Sequence, residues 1–211
     1  MSGTKAKTAR SKAMAGQKNK GGDGAAEKLL DADAAAVDAV EPYRDSPLVE
    51  ALSTFSEVGD QPQMRILCGG LIAAGLARGD ARMIRAGTRM LAAHTVATLA
   101  KDFIKHRVDR TRPAAMIDED ADHRPKAGGS RDKKETSFPS GHSAGAAAVA
   151  RAFARDYPEH ALPALAAGGA ISLAQIPRCA HYPTDVGAGI AIGLAAEAAV
   201  TALGRRFAGG S

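Results

Sequence analysis

The sequence of 211 residues predicts an all-α fold: a helical bundle of about five to six helices, embedded in a membrane and preceded by a disordered basic N-terminal tail. Three observations carry that prediction. Apolar residues make up 45% of the chain, yet aromatic residues make up only 4% and Trp is absent. Ala and Gly must therefore fill the interior, which suits closely approaching helices better than an aromatic-rich sheet sandwich. Apolar runs of helical length recur from Ile66 onward, without strand alternation, heptads or internal repeats. The charge is also segregated: residues 1–22 carry six basic residues and no acid, which leaves 22 basic against 23 acidic residues elsewhere. The net charge of +5 is thus a property of the tail.

In chain order, residues 1–26 are rich in Lys, Gly, Ala and Ser and are expected to be a disordered basic tail. No aromatic residue interleaves with its charges, so no base-stacking module and no specific nucleic-acid partner is expected. Residues 27–58 form a peripheral N-terminal segment with a weakly amphipathic helix at 27–40, ended by Pro42, and a short helix at 47–57 with Ser46-Pro47 as cap and first residue. The main domain spans 59–206. Ile66–Ala77 is an uninterrupted apolar run, and 81–105 reads as one long helix with Arg82, Arg85 and Arg89 on one face. A charged loop with Pro and Gly occupies about 107–139, followed by helices at 143–155, 161–175 and 184–204. A bilayer core asks for about 20 apolar residues per spanning helix. Ala161–Pro177 and Val186–Leu203 come close, while the runs at 66–77 and 90–100 are shorter, so a soluble bundle is the alternative. Positions 1–28 lack the apolar stretch of a secretory signal. Cys68 and Cys179 have no metal-ligand spacing and make no disulfide framework; Cys68 reads as a core residue.

Three clusters carry chemistry. The first, Lys105 to Pro113, sets Lys105 and Arg112 seven residues apart, roughly two helical turns. A point charge beside a guanidinium fork suits phosphate oxygens, although a basic helix end complementing its macrodipole explains this cluster equally well in isolation. In the second, Ser137 to Ser143, Gly141 permits a tight backbone at a helix start whose N–H groups receive anions. There Ser140 adds a hydroxyl and His142 a titratable acid. The order Pro-Ser-Gly-His does not match a nucleophile elbow, so Ser140 is not read as the nucleophile. The third, Arg178 to Asp185, places a carboxylate one helical turn from His181. That carboxylate would hold the tautomer that frees the other ring nitrogen for attack. A two-ligand metal pair is the weaker alternative, since no third ligand lies nearby.

In this order, Lys105-x6-Arg112-Pro113, Pro139-Ser140-Gly141-His142 and His181-x3-Asp185 resemble the type 2 phosphatidic acid phosphatase family, over about residues 60–205. Its superfamily includes bacterial non-specific acid phosphatases and vanadium haloperoxidases. The chain is short for the haloperoxidase branch. The resemblance implies a metal-independent phosphatase with no cofactor. His181 would be the nucleophile forming a phosphohistidine, Asp185 its partner and His142 the acid. Lys105, Arg112, Ser140, Gly141 and Arg178 would bind phosphate. One departure stands out. The family's third motif begins Ser-Arg, where this chain has Ala174 and Gln175; either Arg178 supplies the missing cation or the site works with one fewer.

The substrate implied is a phosphomonoester or diphosphate of a lipid or isoprenoid. The resemblance also implies a bacterial-type inner membrane with the site on the outer face, with which the Arg205-Arg206 pair and the basic tail agree as inside charges. A soluble acid phosphatase on small phosphomonoesters and a non-catalytic binder of anionic lipid or nucleic acid are the competing functions. Of the remaining histidines, His94 reads as packed, and His106, His123 and His160 as solvated. The sequence carries no sign of oligomeric state.

Overall fold

The computed structural model describes residues 24–119 and 121–208. Eight α-helices are present among them: α1 (Gly24–Val40), α2 (Pro47–Ser56), α3 (Gln61–Arg78), α4 (Ala81–Lys105), α5 (Pro113–Glu119), α6 (Gly141–Asp156), α7 (Ala161–Leu173) and α8 (Pro183–Ala208). Two strands of two residues, β1 (Val108–Asp109) and β2 (Lys126–Ala127), pair antiparallel within the long loop. The expected basic tail lies outside the described residues except for Gly24–Ala26, which open α1.

Local chemistry explains the boundaries. Ser46 accepts a hydrogen bond from the Val49 N–H (3.3 Å) with Pro47 at the first position of α2, where a missing N–H costs nothing. Asp80 caps α4 by accepting from the Arg82 and Met83 N–H groups, and Ser140 caps α6. Gly79, at φ 65°, takes the left-handed turn that ends α3, a conformation in which a Cβ would be strained.

The core is Ala-rich, as the composition implies. Helix α6 packs against α4, α7 and α8, and α4 packs also against α3 and α8. Ala93, Ala97, Ala144, Ala146, Ala148, Ala152 and Ala196 meet Met64, Cys68 and Met90. Helices α6 and α8 approach so closely that a Cβ on Gly189 would sit 2.5 Å from the Ser140 carbonyl oxygen, and one on Gly193 2.4 Å from that of Ala144. This contact sets the start of α6 beside the start of α8. The second and third clusters thereby become neighbours.

The expected membrane-embedded bundle of five to six helices is corrected on both counts. The structure has eight helices among the described residues, and only one, Pro183–Arg206, is long and apolar enough to cross a membrane, with 33% of its apolar window buried in the protein. The reasons are length and charge. Helix α7 is 13 residues, about 20 Å, against a hydrocarbon core of about 30 Å. Helix α4 is long enough, but Arg82, Arg85, Arg89, Lys101, Asp102 and Lys105 punctuate it. Helix α5 lies inside the stretch expected to be loop, because Pro113 starts a helix there instead of preventing one.

Candidate active site

The three clusters converge where α4 ends and α6 and α8 begin. The Ser140 N–H donates to the Asp185 carbonyl (3.0 Å), and the Ser137 hydroxyl donates a short hydrogen bond to Asp185 Oδ2, tying the second cluster to the third. Arg112 Nη1 donates to the Ala180 carbonyl (3.3 Å), one residue before His181, tying in the first. Lys105 Nζ donates to the Thr136 carbonyl (2.9 Å) and Arg112 Nε to that of Lys133 (2.7 Å), so both cations rest on the loop that leads to Ser137.

His181 is buried on the turn before α8. Its Nδ1 lies 3.7 Å from Asp185 Oδ2, beyond hydrogen-bond length, and has no hydrogen-bond partner. Burial pushes the imidazole pKa down to about 4; Asp185 pulls upward, and Arg112 and Lys105 push it further down. The ring is therefore neutral near pH 7, with an unprotonated nitrogen available.

Asp185 is fully buried and heavily tethered. Its Oδ1 accepts from Arg110 Nη1 at 2.6 Å, and its Oδ2 accepts from Ser137 and from the Tyr182 N–H at 3.0 Å. Arg110 is itself only 1% exposed at the side chain. Its Nη2 donates to Asp33 Oδ2 at 2.7 Å, its Nη1 to the Thr184 hydroxyl at 2.8 Å, its Nε to the His123 carbonyl at 3.2 Å, and its guanidinium lies 4.0 Å from the centre of the Tyr182 ring. A buried cation needs such partners, and here two carboxylates from opposite ends of the chain supply them.

The other side of the site is looser. His142 lies at the start of α6, its Nε2 2.9 Å from Asp60 Oδ1, and Asp60 is 45% exposed. Burial lowers the His142 pKa; Asp60 raises it, while the charges of Arg178, Arg112 and Lys105 lower it. A cavity of about 270 Å³ opens here, lined by Gly59, Asp60, Gln61, Lys101, Gly141 and His142 among others. Lys105 is drawn down to about 8, chiefly by burial and then by the charges of Arg112 and Lys101, and burial lowers Arg112 as well.

Ser140 is fully buried, its hydroxyl engaged with the N–H and hydroxyl of Ser143 (3.4 and 2.9 Å). Gly141 sits against Lys101, whose Cδ would lie 3.2 Å from an added Cβ. Gln175 does not enter the cluster: its side chain donates back to the Ile171 carbonyl (3.0 Å), and its own carbonyl accepts from the Ala180 and His181 N–H groups. Arg178 reaches the Ser56 hydroxyl, and its charge is felt at both His142 and Arg112. The following residue, Cys179, takes φ 51°, a left-handed bend that turns the chain between Arg178 and His181. Both cysteines are buried and free.

Sequence reasoning missed Asp33, Asp60 and Arg110. Arg110 lies inside the first cluster, and Asp33 stands one helical turn before Val37 on the buried stripe of α1. His123, read as solvated, is buried with its ring centre 5.9 Å from that of Tyr182. His94 is packed as expected, and Glu197 is buried against Arg155 (2.6 Å). Among the described residues no group of three or more His, Cys, Asp or Glu side chains is arranged to hold a metal ion.

The fold recurs in solved structures. The crystal structure of the first transmembrane PAP2 type phosphatidylglycerolphosphate phosphatase from Bacillus subtilis superposes with a TM-score of 0.59 at 19% identity, covering 85% of this chain and 87% of that one. The crystal structure of Aquifex aeolicus LpxE gives 0.57 at 18% identity, covering 78% and 92%. No curated protein sequence matches the chain. The model of the PAP2 superfamily matches residues 86–207, more than half of the chain and all three clusters, and the protein therefore belongs to that superfamily.

Proposed function

We propose that the protein is a metal-independent phosphatase that hydrolyses a phosphomonoester or diphosphate of a lipid or isoprenoid through a phosphohistidine on His181. The observation that carries this reading is a buried, neutral imidazole set beside a tethered carboxylate and within the field of two cations. The ring nitrogen remote from Asp185 attacks phosphorus, forming an N–P bond as the P–O bond to the leaving group breaks. His142 gives its proton to the departing oxygen. Asp185 faces the imidazolium that results, as the aspartate does in a serine-protease triad. Water then attacks phosphorus, loses its proton to His142 and releases phosphate, restoring neutral His181. Lys105, Arg112 and the N–H groups at the start of α6 neutralise the equatorial oxygens, with Ser140 and Gly141 shaping that start. Arg178 takes the part of the cation absent at Gln175; its influence on His142 and Arg112 supports this.

A lipid substrate implies membrane association, in the bacterial-type inner membrane with the site on the outer face. Large exposed apolar side chains support it: Ile66, Leu76, Leu99, Phe103, Leu162 and Leu203 stand on four helices of the bundle. One of the two solved structures is of a transmembrane phosphatase, which agrees with this assignment. The test is phosphate release from phosphatidate, phosphatidylglycerol phosphate, a polyprenyl diphosphate and a soluble monoester, with chelator present. Turnover of a lipid phosphate that survives chelation and vanishes in His181→Ala is expected. Loss of turnover on chelation, or persistence in His181→Ala, contradicts the mechanism, and recovery in the supernatant without detergent contradicts membrane association.

A further inference from the structure

Asp33 lies on α1, 53 residues before the stretch matched by the superfamily model, yet its carboxylate reaches the arginine that holds Asp185. It accepts from the Thr184 N–H (3.0 Å) and hydroxyl and from Arg110 Nη2 (2.7 Å); Arg110 also donates to Asp185, and Thr184 is the residue before it. All three charged side chains are almost fully enclosed: Arg110 1%, Asp33 2% and Asp185 0% exposed. Water therefore screens them little.

The charges then decide what His181 experiences. Arg110 and Asp185 alone would form a neutral pair, and a neutral pair offers a cation forming 3.7 Å away a weaker field than a net negative charge does. Asp33 adds a second negative charge, so the Asp33–Arg110–Asp185 group carries a net charge of −1. We propose that Asp33 is a positioning and charge-balancing residue for the nucleophile: it engages Arg110 from α1 so that Asp185 remains electrostatically available to the imidazolium formed at His181. This rests on the phosphohistidine reading above. In the step concerned, the N–P bond forms, the P–O bond breaks, the leaving oxygen takes a proton from His142, and the ring keeps its other proton and gains one positive charge. Helix α1 is thereby a working part of the site, through one carboxylate that touches no substrate.

The test is the near-isosteric Asp33→Asn and the double variant Asp33→Asn/Arg110→Met, in which Asp185 again holds a net −1 and keeps its Ser137 and Tyr182 donors. Steady-state hydrolysis of phosphatidate in detergent micelles is measured with equilibrium binding of orthovanadate, a tetrahedral anion that becomes a pentacoordinate mimic of the transferring phosphoryl group when it takes the nucleophile's nitrogen as a ligand, and of inorganic phosphate. Asp33→Asn is expected to lower kcat about 10- to 100-fold with KM changed less than about threefold, and to weaken orthovanadate about tenfold more than phosphate. The double variant is expected to recover at least about fivefold in kcat over the single. A double variant as slow as the single or slower overturns the proposal, because a purely structural link only worsens when both ends are cut. Should Asp33→Asn fail to fold, a folded double variant within about tenfold of wild type still supports it, and a larger loss refutes it. Absence of turnover by the wild-type protein on phosphatidate, phosphatidylglycerol phosphate and a polyprenyl diphosphate alike overturns the phosphohistidine reading itself, and this inference with it.

Discussion

The two sides of the cluster are built on different terms. On the carboxylate side of His181 the neighbours are buried and tied down: Asp185 takes hydrogen bonds from Arg110, Ser137 and the Tyr182 N–H, and Arg110 is held in turn by Asp33. Around His142 the partner Asp60 is nearly half exposed, and a cavity of about 270 Å³ opens beside it. The difference matches the chemistry proposed for each side. A nucleophile attacks the same phosphorus in every substrate and gains from fixed geometry. A proton donor meets leaving groups that differ in size and polarity, and there an open rim is useful.

The largest effect that could break this comparison is on the open side. His142→Ala is expected to slow hydrolysis of an alkyl phosphate by roughly 10²–10⁴-fold. An aryl phosphate, whose leaving oxygen needs no proton, should lose far less. Equal losses on both, read from kcat/KM, which reports the phosphorylation step and not the later attack of water, would remove His142 from the role of acid.

The closed side predicts an acid instability. Burial holds the His181 pKa at about 4, against 6.5 for an ordinary histidine. The unfolded chain therefore binds the proton more readily than the folded one. The contribution to stability is complete above pH 6.5, falls as pH drops toward 4, and amounts to roughly 3 kcal/mol. Denaturant midpoints at pH 7 and pH 4.5 should show it, and a folded His181→Gln should lack that share of the pH dependence.

A smaller loss is expected from the contact that aligns the two sides. Gly189→Ala puts a methyl 2.5 Å from the Ser140 carbonyl oxygen, and about 1–3 kcal/mol of stability should be lost as α6 and α8 separate. An unchanged melting temperature would show that the helices are not in the close contact described.

The smallest effect belongs to the exposed carboxylate. Asp60 raises the His142 pKa, so Asp60→Asn should lower it and move the basic limb of kcat to lower pH, because His142 must be protonated to donate. With Asp60 45% exposed the shift should stay under about one pH unit. Movement in the opposite direction would show that Asp60 does not act on the acid.

Much of the fold could be read from the chain, and some could not, for physical reasons. Long elements with clear punctuation are legible: the sequence predicts a helix over 81–105 and α4 spans Ala81–Lys105, since Asp80 caps it and an unbroken run follows. Helix α5 was not, because Pro113 after Arg112 reads equally as a break and as a first helical residue. The membrane-embedded bundle was not legible, because an apolar run does not reveal the charges its helix continues into, as α4 continues from 90–100 into Lys101 and Asp102. The site's motifs were legible as spacings. Asp33 and Asp60 were not, since their significance lies in tertiary pairing with Arg110 and His142, which no local pattern records.

Covalent chemistry at one ring nitrogen, that of His181, is the step on which the proposed hydrolysis depends most. Rapid acid-free quenching of the enzyme during turnover of 32P-labelled phosphatidate, followed by alkaline digestion and peptide mapping, tests it directly. Label stable to base, lost in acid and confined to the peptide carrying His181 is the predicted result. Turnover with no labelled enzyme under single-turnover conditions, or label on a different histidine, would contradict it.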